Sequence, residues 1–131
     1  MKNIEWFDSL NKPFLSPPDW IFTPVWIILF LMIGVSFILF WGNGITKEKR
    51  LPLIFFITQL ILNWLWVPVF FGMQNILGAL IILIFMYIFL WLTIITFFKY
   101  SKVASFLLLP YLFWISFAAY LNFGFLVLNL N

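Results

Sequence analysis

The 131-residue chain contains no cysteine and no histidine. Without cysteine there is neither a disulfide framework nor thiol chemistry, and the redox compartment stays open. A histidine-ligated haem, a thiolate-ligated haem and a soft metal site are excluded with them. Charge is also scarce, at 8% of residues, against roughly 25% in soluble domains. The four acidic residues, Glu5, Asp8, Asp19 and Glu48, all lie outside the long apolar runs, which argues against a pump driven by an intramembrane acid. No nucleophile sits beside a base and no phosphate-cradling glycine motif is present. No catalytic residue and no metal ligand is therefore assigned, no cofactor is required, and an enzyme is not the default reading.

What the chain has in abundance is apolar surface, at 66% of residues, where soluble domains carry roughly 45–50%. Four uncharged runs, at about 21–41, 51–71, 76–98 and 103–128, match the ~20 residues that a helix needs to cross a bilayer. The expectation is an all-α membrane protein, a bundle of four transmembrane helices forming a single transmembrane domain over residues 1–131. Lys47, Lys49, Arg50, Lys99 and Lys102 fall on one side of the bilayer, and Lys2 and Lys12 on the other. Positive-inside reasoning puts the five on the cytoplasmic face and both termini outside. These residues read as orientation signals and not as a nucleic-acid surface. The first nineteen residues carry Lys2, Glu5, Asp8, Lys12, Asp19 and three prolines, a poor match to a cleavable signal peptide, so a retained N-terminus is expected.

Local signals bound the spans. The first either begins with Thr23 as cap and Pro24 at the first helical position, or starts near Asp19 with Pro24 distorting its opening turns. Gly42-Asn43-Gly44 ends it, and TKEKR makes a short charged loop. Pro68 and Pro110 lie inside spans, where they release the carbonyls of Trp64 and Phe106 and permit kinks. Trp20 and Trp41 read as interface anchors.

Polar residues inside the spans carry the functional signal. Gln59, Asn63, Trp66 and Phe70 recur at intervals of four, three and four, which stacks them on one helical face. An unpaired amide in hydrocarbon costs several kcal/mol, so both amides should face the bundle interior. They act either as interhelical glue, measured at about 0.6 to 2 kcal/mol per contact, or as contacts to a ligand. Tyr111, Trp114, Ala118, Asn122 and Phe125 form a comparable face on the last span, where Ala118 either admits close helix packing or leaves room for a flat molecule. Phe22, Trp26, Phe30, Ile33 and Phe37 form a stripe on the first, with Trp26 as its donor. The forward cholesterol pattern finds no match; the reversed pattern matches at Arg50, Phe55, Leu60 and at Lys102, Phe106, Leu108, which carries little weight.

Three segments taken together, WFDSLNKPFLSPPDWIFTPVW at 6–26, QLILNWLWVPVFFG at 59–72 and PYLFWISFAAYLNFGFLVLN at 110–129, resemble the tryptophan-rich sensory protein family, also called translocator protein or peripheral-type benzodiazepine receptor. The resemblance runs from Trp6 to Asn129. It implies a compact bundle, usually a homodimer, that holds a porphyrin or related hydrophobic planar ligand between helices, with roles in tetrapyrrole sensing, transport or degradation. On this resemblance Trp26 and Asn63 match the polar contacts to ligand, and Trp114, Ala118 and Asn122 match the opposite wall, with Gln59 nearby. Trp6 and Phe7, with the KPxxxPP stretch, match the part that folds over the pocket mouth. The implied ligand is a porphyrin or haem precursor, and the implied location a bacterial cell membrane. Family members usually have a further helix before the motif at Trp6, so four crossings are expected here against five. Phe7 stands where the family commonly has tyrosine, removing one hydroxyl.

Overall fold

The computed structural model describes residues 19–129, which are helical apart from short connections. Helix α1 spans Phe22–Trp41, α2 Arg50–Val67, α3 Ile76–Phe98, α4 Lys102–Leu107 and α5 Leu109–Leu128. With α4 and α5 taken as one broken span, four segments among the described residues are long and apolar enough to cross a membrane. They are apolar all round, with exposed residues such as Leu31, Ile38, Ile95 and Phe113 on the outer surface, as expected where the solvent is lipid.

Each boundary follows from local chemistry. A 3₁₀ turn at Asp19–Ile21 runs straight into α1, whose entry has no side-chain cap. The helical path thus starts near Asp19 with Pro24 inside the first turn, and Thr23 is not its cap. Gly42 and Gly44 take φ of +54° and +124° and end α1, a backbone open to glycine at little cost. The short charged loop that follows contains a 3₁₀ turn at Lys47–Lys49. Pro68 cannot donate to the helix ahead of it, and the chain answers with a wide π-helical turn over Pro68–Gly72, in which Met73 N–H reaches Pro68 O at 2.9 Å. Asn75 caps α3 by accepting from Gly78 N–H at 2.8 Å, and Ser101 caps α4 by accepting from Ala104 N–H at 3.1 Å.

The last span, expected over 103–128 with Pro110 permitting a kink, covers Lys102–Leu128. It breaks at Leu108, whose N–H turns to Ser105 O at 3.1 Å, because Pro110 leaves the Phe106 carbonyl without its usual partner. Helix α3 is the centre of the bundle: α2 and α5 pack along it, and α4 crosses between α3 and α1. In α1 the buried row is Leu29, Ile33, Ser36 and Phe40, one position round from the expected stripe. Ile33 is common to both rows, while Trp26 and Phe37 are half-buried and Phe30 is exposed. Ser36 is wholly buried and donates to Ala104 O at 2.7 Å, tying α1 to α4. Ser105 ties α4 to α3 by donating to Ile94 O at 2.7 Å.

Candidate ligand cavity

At the end of the bundle away from Lys49 and Lys102, the four spans surround a cavity of about 610 Å³. That volume falls within the roughly 300–1,000 Å³ of small-molecule sites. The opening turns of α1 contribute Phe22, Trp26 and Phe30, and the end of α2 contributes Asn63 and Trp66. The π-helical turn contributes Phe70 and Phe71, α3 Leu83 and Met86, and α5 Trp114, Ala118 and Asn122. Helical spacing explains the convergence. Asn63, Trp66 and Phe70 share one face of α2 and its continuation, while Trp114, Ala118, Asn122 and Phe125 share one face of α5.

The aromatic groups meet mostly edge to face. Trp26 lies 6.2 Å from Trp114 at 90° and 6.4 Å from Tyr111 at 68°, and Phe22 meets Trp114 at 5.7 Å and 67°. Such contacts leave ring faces uncovered, which a flat conjugated molecule can occupy. No indole N–H of Trp26 or Trp114 is hydrogen-bonded among the described residues. Ala118 is the small residue between Trp114 and Asn122 and keeps that wall open. Among the described residues no acidic or basic side chain lines the cavity, and its walls offer aromatic contact and hydrogen bonding.

The amides divide into two kinds. Asn122 accepts from the Trp66 indole N–H at 3.0 Å and donates to Ile76 O at 3.0 Å, so both ends of its amide tie α5 to the helices around it. Asn63 uses only its nitrogen on protein: Nδ2 donates to the Tyr111 hydroxyl at 2.7 Å. Its carbonyl oxygen has no partner among the described residues. Gln59, one turn earlier, is wholly buried and is not in the cavity wall. It accepts from the Tyr111 hydroxyl at 2.9 Å and stands behind that residue.

Of the residues singled out from sequence, Trp26, Asn63, Trp114, Ala118 and Asn122 therefore come together at one cavity, while Gln59 lies behind its wall and is linked to Asn63 through Tyr111. Trp6 and Phe7 lie outside the described residues. Tyr111 is the group that sequence reasoning left out of the site. It was on the α5 face, and a buried tyrosine hydroxyl must find a partner, but which amides it would meet depends on the crossing of α2 and α5 over α3. A second hollow, of about 700 Å³, lies on the flank where α1 meets the α4–α5 break. It is larger but lined by Val25, Leu29, Leu109, Phe113 and similar groups with no amide, so volume does not choose between the two and polar chemistry does.

The match to known proteins is extensive. Residues 1–128 match the TspO/MBR family. This chain belongs to that family. It is 46% identical to "Tryptophan-rich protein TspO" of Chlorobaculum tepidum over 130 residues, covering 98% of this chain and 82% of the relative. It is also 46% identical to the protein of that name from Archaeoglobus fulgidus, over 95% of this chain and 80% of the relative. "Translocator protein" of Homo sapiens is 35% identical over 93% of this chain and 73% of its own length. As a TspO/MBR member with four membrane-length spans, the chain is an integral membrane protein, and relatives such as that of Chlorobaculum tepidum support a bacterial membrane. Among the described residues no group of three or more His, Cys, Asp or Glu could hold a metal ion.

Proposed function

We propose that this protein binds a porphyrin or a related flat, hydrophobic ligand in the cavity between α1, α2, α3 and α5, with protoporphyrin IX or another haem precursor as the leading candidate. One observation carries the reading: an aromatic cavity of about 610 Å³ holds, in Asn63, an amide whose oxygen has no partner among the described residues. An amide serving only as glue between helices would use both of its ends, as Asn122 does. The indoles of Trp26 and Trp114 supply stacking surface and further donors, Ala118 and Asn122 form the opposite wall, and Gln59 holds Tyr111. Trp6 and Phe7 belong to the same reading as the cover of the mouth. The chain then works as one transmembrane domain in the bilayer, as a homodimer, and serves tetrapyrrole sensing, transport or degradation through binding and not through a catalytic side chain.

The test is a titration of the purified full-length chain in detergent with protoporphyrin IX, following tryptophan fluorescence. Saturable quenching, weakened in both Asn63→Ala and Trp114→Ala while the helical signal is retained, is the expected result. Linear quenching, equal in all three proteins, would mean partition into detergent and would leave the amides as helix ties of a structural membrane subunit.

A further inference from the structure

Gln59 has one peculiarity that the cavity itself does not explain: its amide nitrogen is buried and has no hydrogen-bond partner among the described residues. Both N–H groups of a wholly buried amide are thereby unmet, although orphaned buried N–H groups are rare. The chain of donors runs from Asn63 Nδ2 to the Tyr111 hydroxyl at 2.7 Å, and from that hydroxyl to Gln59 Oε1 at 2.9 Å. The Tyr111 oxygen also lies 3.7 Å from Met86 Sδ, a weak acceptor. Turning both amides by 180° exchanges oxygen with nitrogen within the same outline and reverses every donor. Gln59 Nε2 then donates to Tyr111, Tyr111 donates to Asn63 Oδ1, and Asn63 directs its NH₂ into the cavity.

We infer that Gln59, Tyr111 and Asn63 form a reversible relay that sets whether Asn63 offers the ligand a donor or an acceptor, making Gln59 and Tyr111 positioning residues for ligand specificity. This rests on the cavity being a ligand site. The two settings leave the same number of Gln59 valences unmet: two N–H groups and one carbonyl lone pair in the first, one N–H and both carbonyl lone pairs in the second. Their ligands differ in chemistry. A carbonyl or ester oxygen takes the setting with NH₂ forward, and an N–H donor takes the setting with the oxygen forward. Only the second of these needs Gln59 as an acceptor. When Asn63 turns its oxygen to the ligand, the Tyr111 proton goes to Gln59 Oε1, since Met86 Sδ is the one other acceptor near it among the described residues.

Removing the Gln59 amide therefore penalises donor ligands alone. The test compares three porphyrins on one ring, with side chains ending in methyl ester, in primary ammonium or in plain alkyl, titrated against the full chain. Wild type should bind the ester and the ammonium probe more tightly than the alkyl one. In Gln59→Leu the ester advantage should persist and the ammonium advantage should fall about tenfold, the cost of a buried hydroxyl proton left without an acceptor. Gln59→Met serves the same purpose if the branched side chain does not fit. Adding Tyr111→Phe to either variant removes that proton and should restore the ammonium advantage, a rescue that a general loss of packing would not produce. Equal weakening of all three probes by Gln59→Leu, or no rescue by Tyr111→Phe, would overturn the relay while leaving the cavity intact. Failure of every probe to bind wild type would overturn both.

Discussion

The two ends of the bundle use the same residue types to opposite effect. At the basic end Phe40 and Phe97 are wholly buried and stack at 4.0 Å and 4°, with Phe56 stacked on Phe97 at 5.7 Å. Lys49 closes that end. Its ammonium donates to the carbonyls of Phe40, Trp41 and Gly44 at 2.9, 3.0 and 3.2 Å and lies within 5.5 Å of the Phe40 and Tyr100 ring centroids. All three of its protons are used, on the carbonyls that end α1. Lys49, read from sequence as an orientation signal, is thus also a cap. At the other end the rings of Phe22, Trp26 and Trp114 meet edge to face around open volume, and Asn63 keeps an oxygen in reserve. Aromatic content alone does not make a site. Stacked rings with saturated polar groups close one end, while splayed rings around an amide oxygen with no partner among the described residues leave a cavity at the other.

The contrast predicts that substitutions at one end affect stability and at the other affinity. The largest effect belongs to Phe40→Ala, which should lose about 3 kcal/mol of stability, the low end for such a truncation because the alternative to this core is lipid and not water. Thermal unfolding in detergent would show it, and porphyrin affinity per folded molecule should be unchanged. A loss of affinity equal to that of Trp114→Ala would break the division between the ends.

Trp114→Ala comes next and should act in the reverse sense. It removes an indole that meets Trp26 at 6.2 Å and Phe22 at 5.7 Å on the cavity wall. Porphyrin affinity should fall about tenfold, or ~1.4 kcal/mol, with a smaller change in unfolding midpoint than Phe40→Ala gives. Lys49→Met keeps most of the apolar stem but loses the three carbonyl contacts. About 1–2 kcal/mol of stability should go with them, in proportion to a charged hydrogen-bonding group of this kind. Porphyrin titration should not distinguish this variant from wild type.

The sequence was most legible where burial demanded a special residue. An amide inside an apolar run has to point inward, and so the α2 face of Gln59, Asn63, Trp66 and Phe70 and the α5 face ending in Asn122 and Phe125 could be read before any coordinates. It was least legible in α1, where Leu29, Ile33, Ser36 and Phe40 and the row of Phe22, Trp26, Phe30, Ile33 and Phe37 are almost equally apolar. In lipid both faces of a helix are greasy, so periodicity loses the contrast that it has in water. Ser36, the one polar member of the true row, was the available clue. Pro68 and Pro110 announced irregular backbone but not its form, since a π-helical turn and a clean break both answer a missing N–H. The pairing of Tyr111 with Gln59 and Asn63 depends on how two distant helices cross, which spacing within either helix does not encode.

The smallest expected effect tests the outer surface rather than either end. Gly34 lies in α1 between buried Ile33 and Ser36, and a Cβ built on it would meet no heavy atom within 4 Å. Gly34→Ala should therefore add no clash and should change stability by less than about 1 kcal/mol, towards greater stability through helix propensity. If this face of α1 were instead pressed against a second copy of the chain, the methyl group would meet that neighbour's backbone, because glycine in a membrane helix is where two backbones approach most closely. The mass of the detergent-solubilised protein, by light scattering across a dilution series, separates the two. An unchanged profile leaves this face to lipid and keeps the proposed homodimer contact off it; dissociation in Gly34→Ala would place that contact on α1, beside the opening turns that carry Trp26.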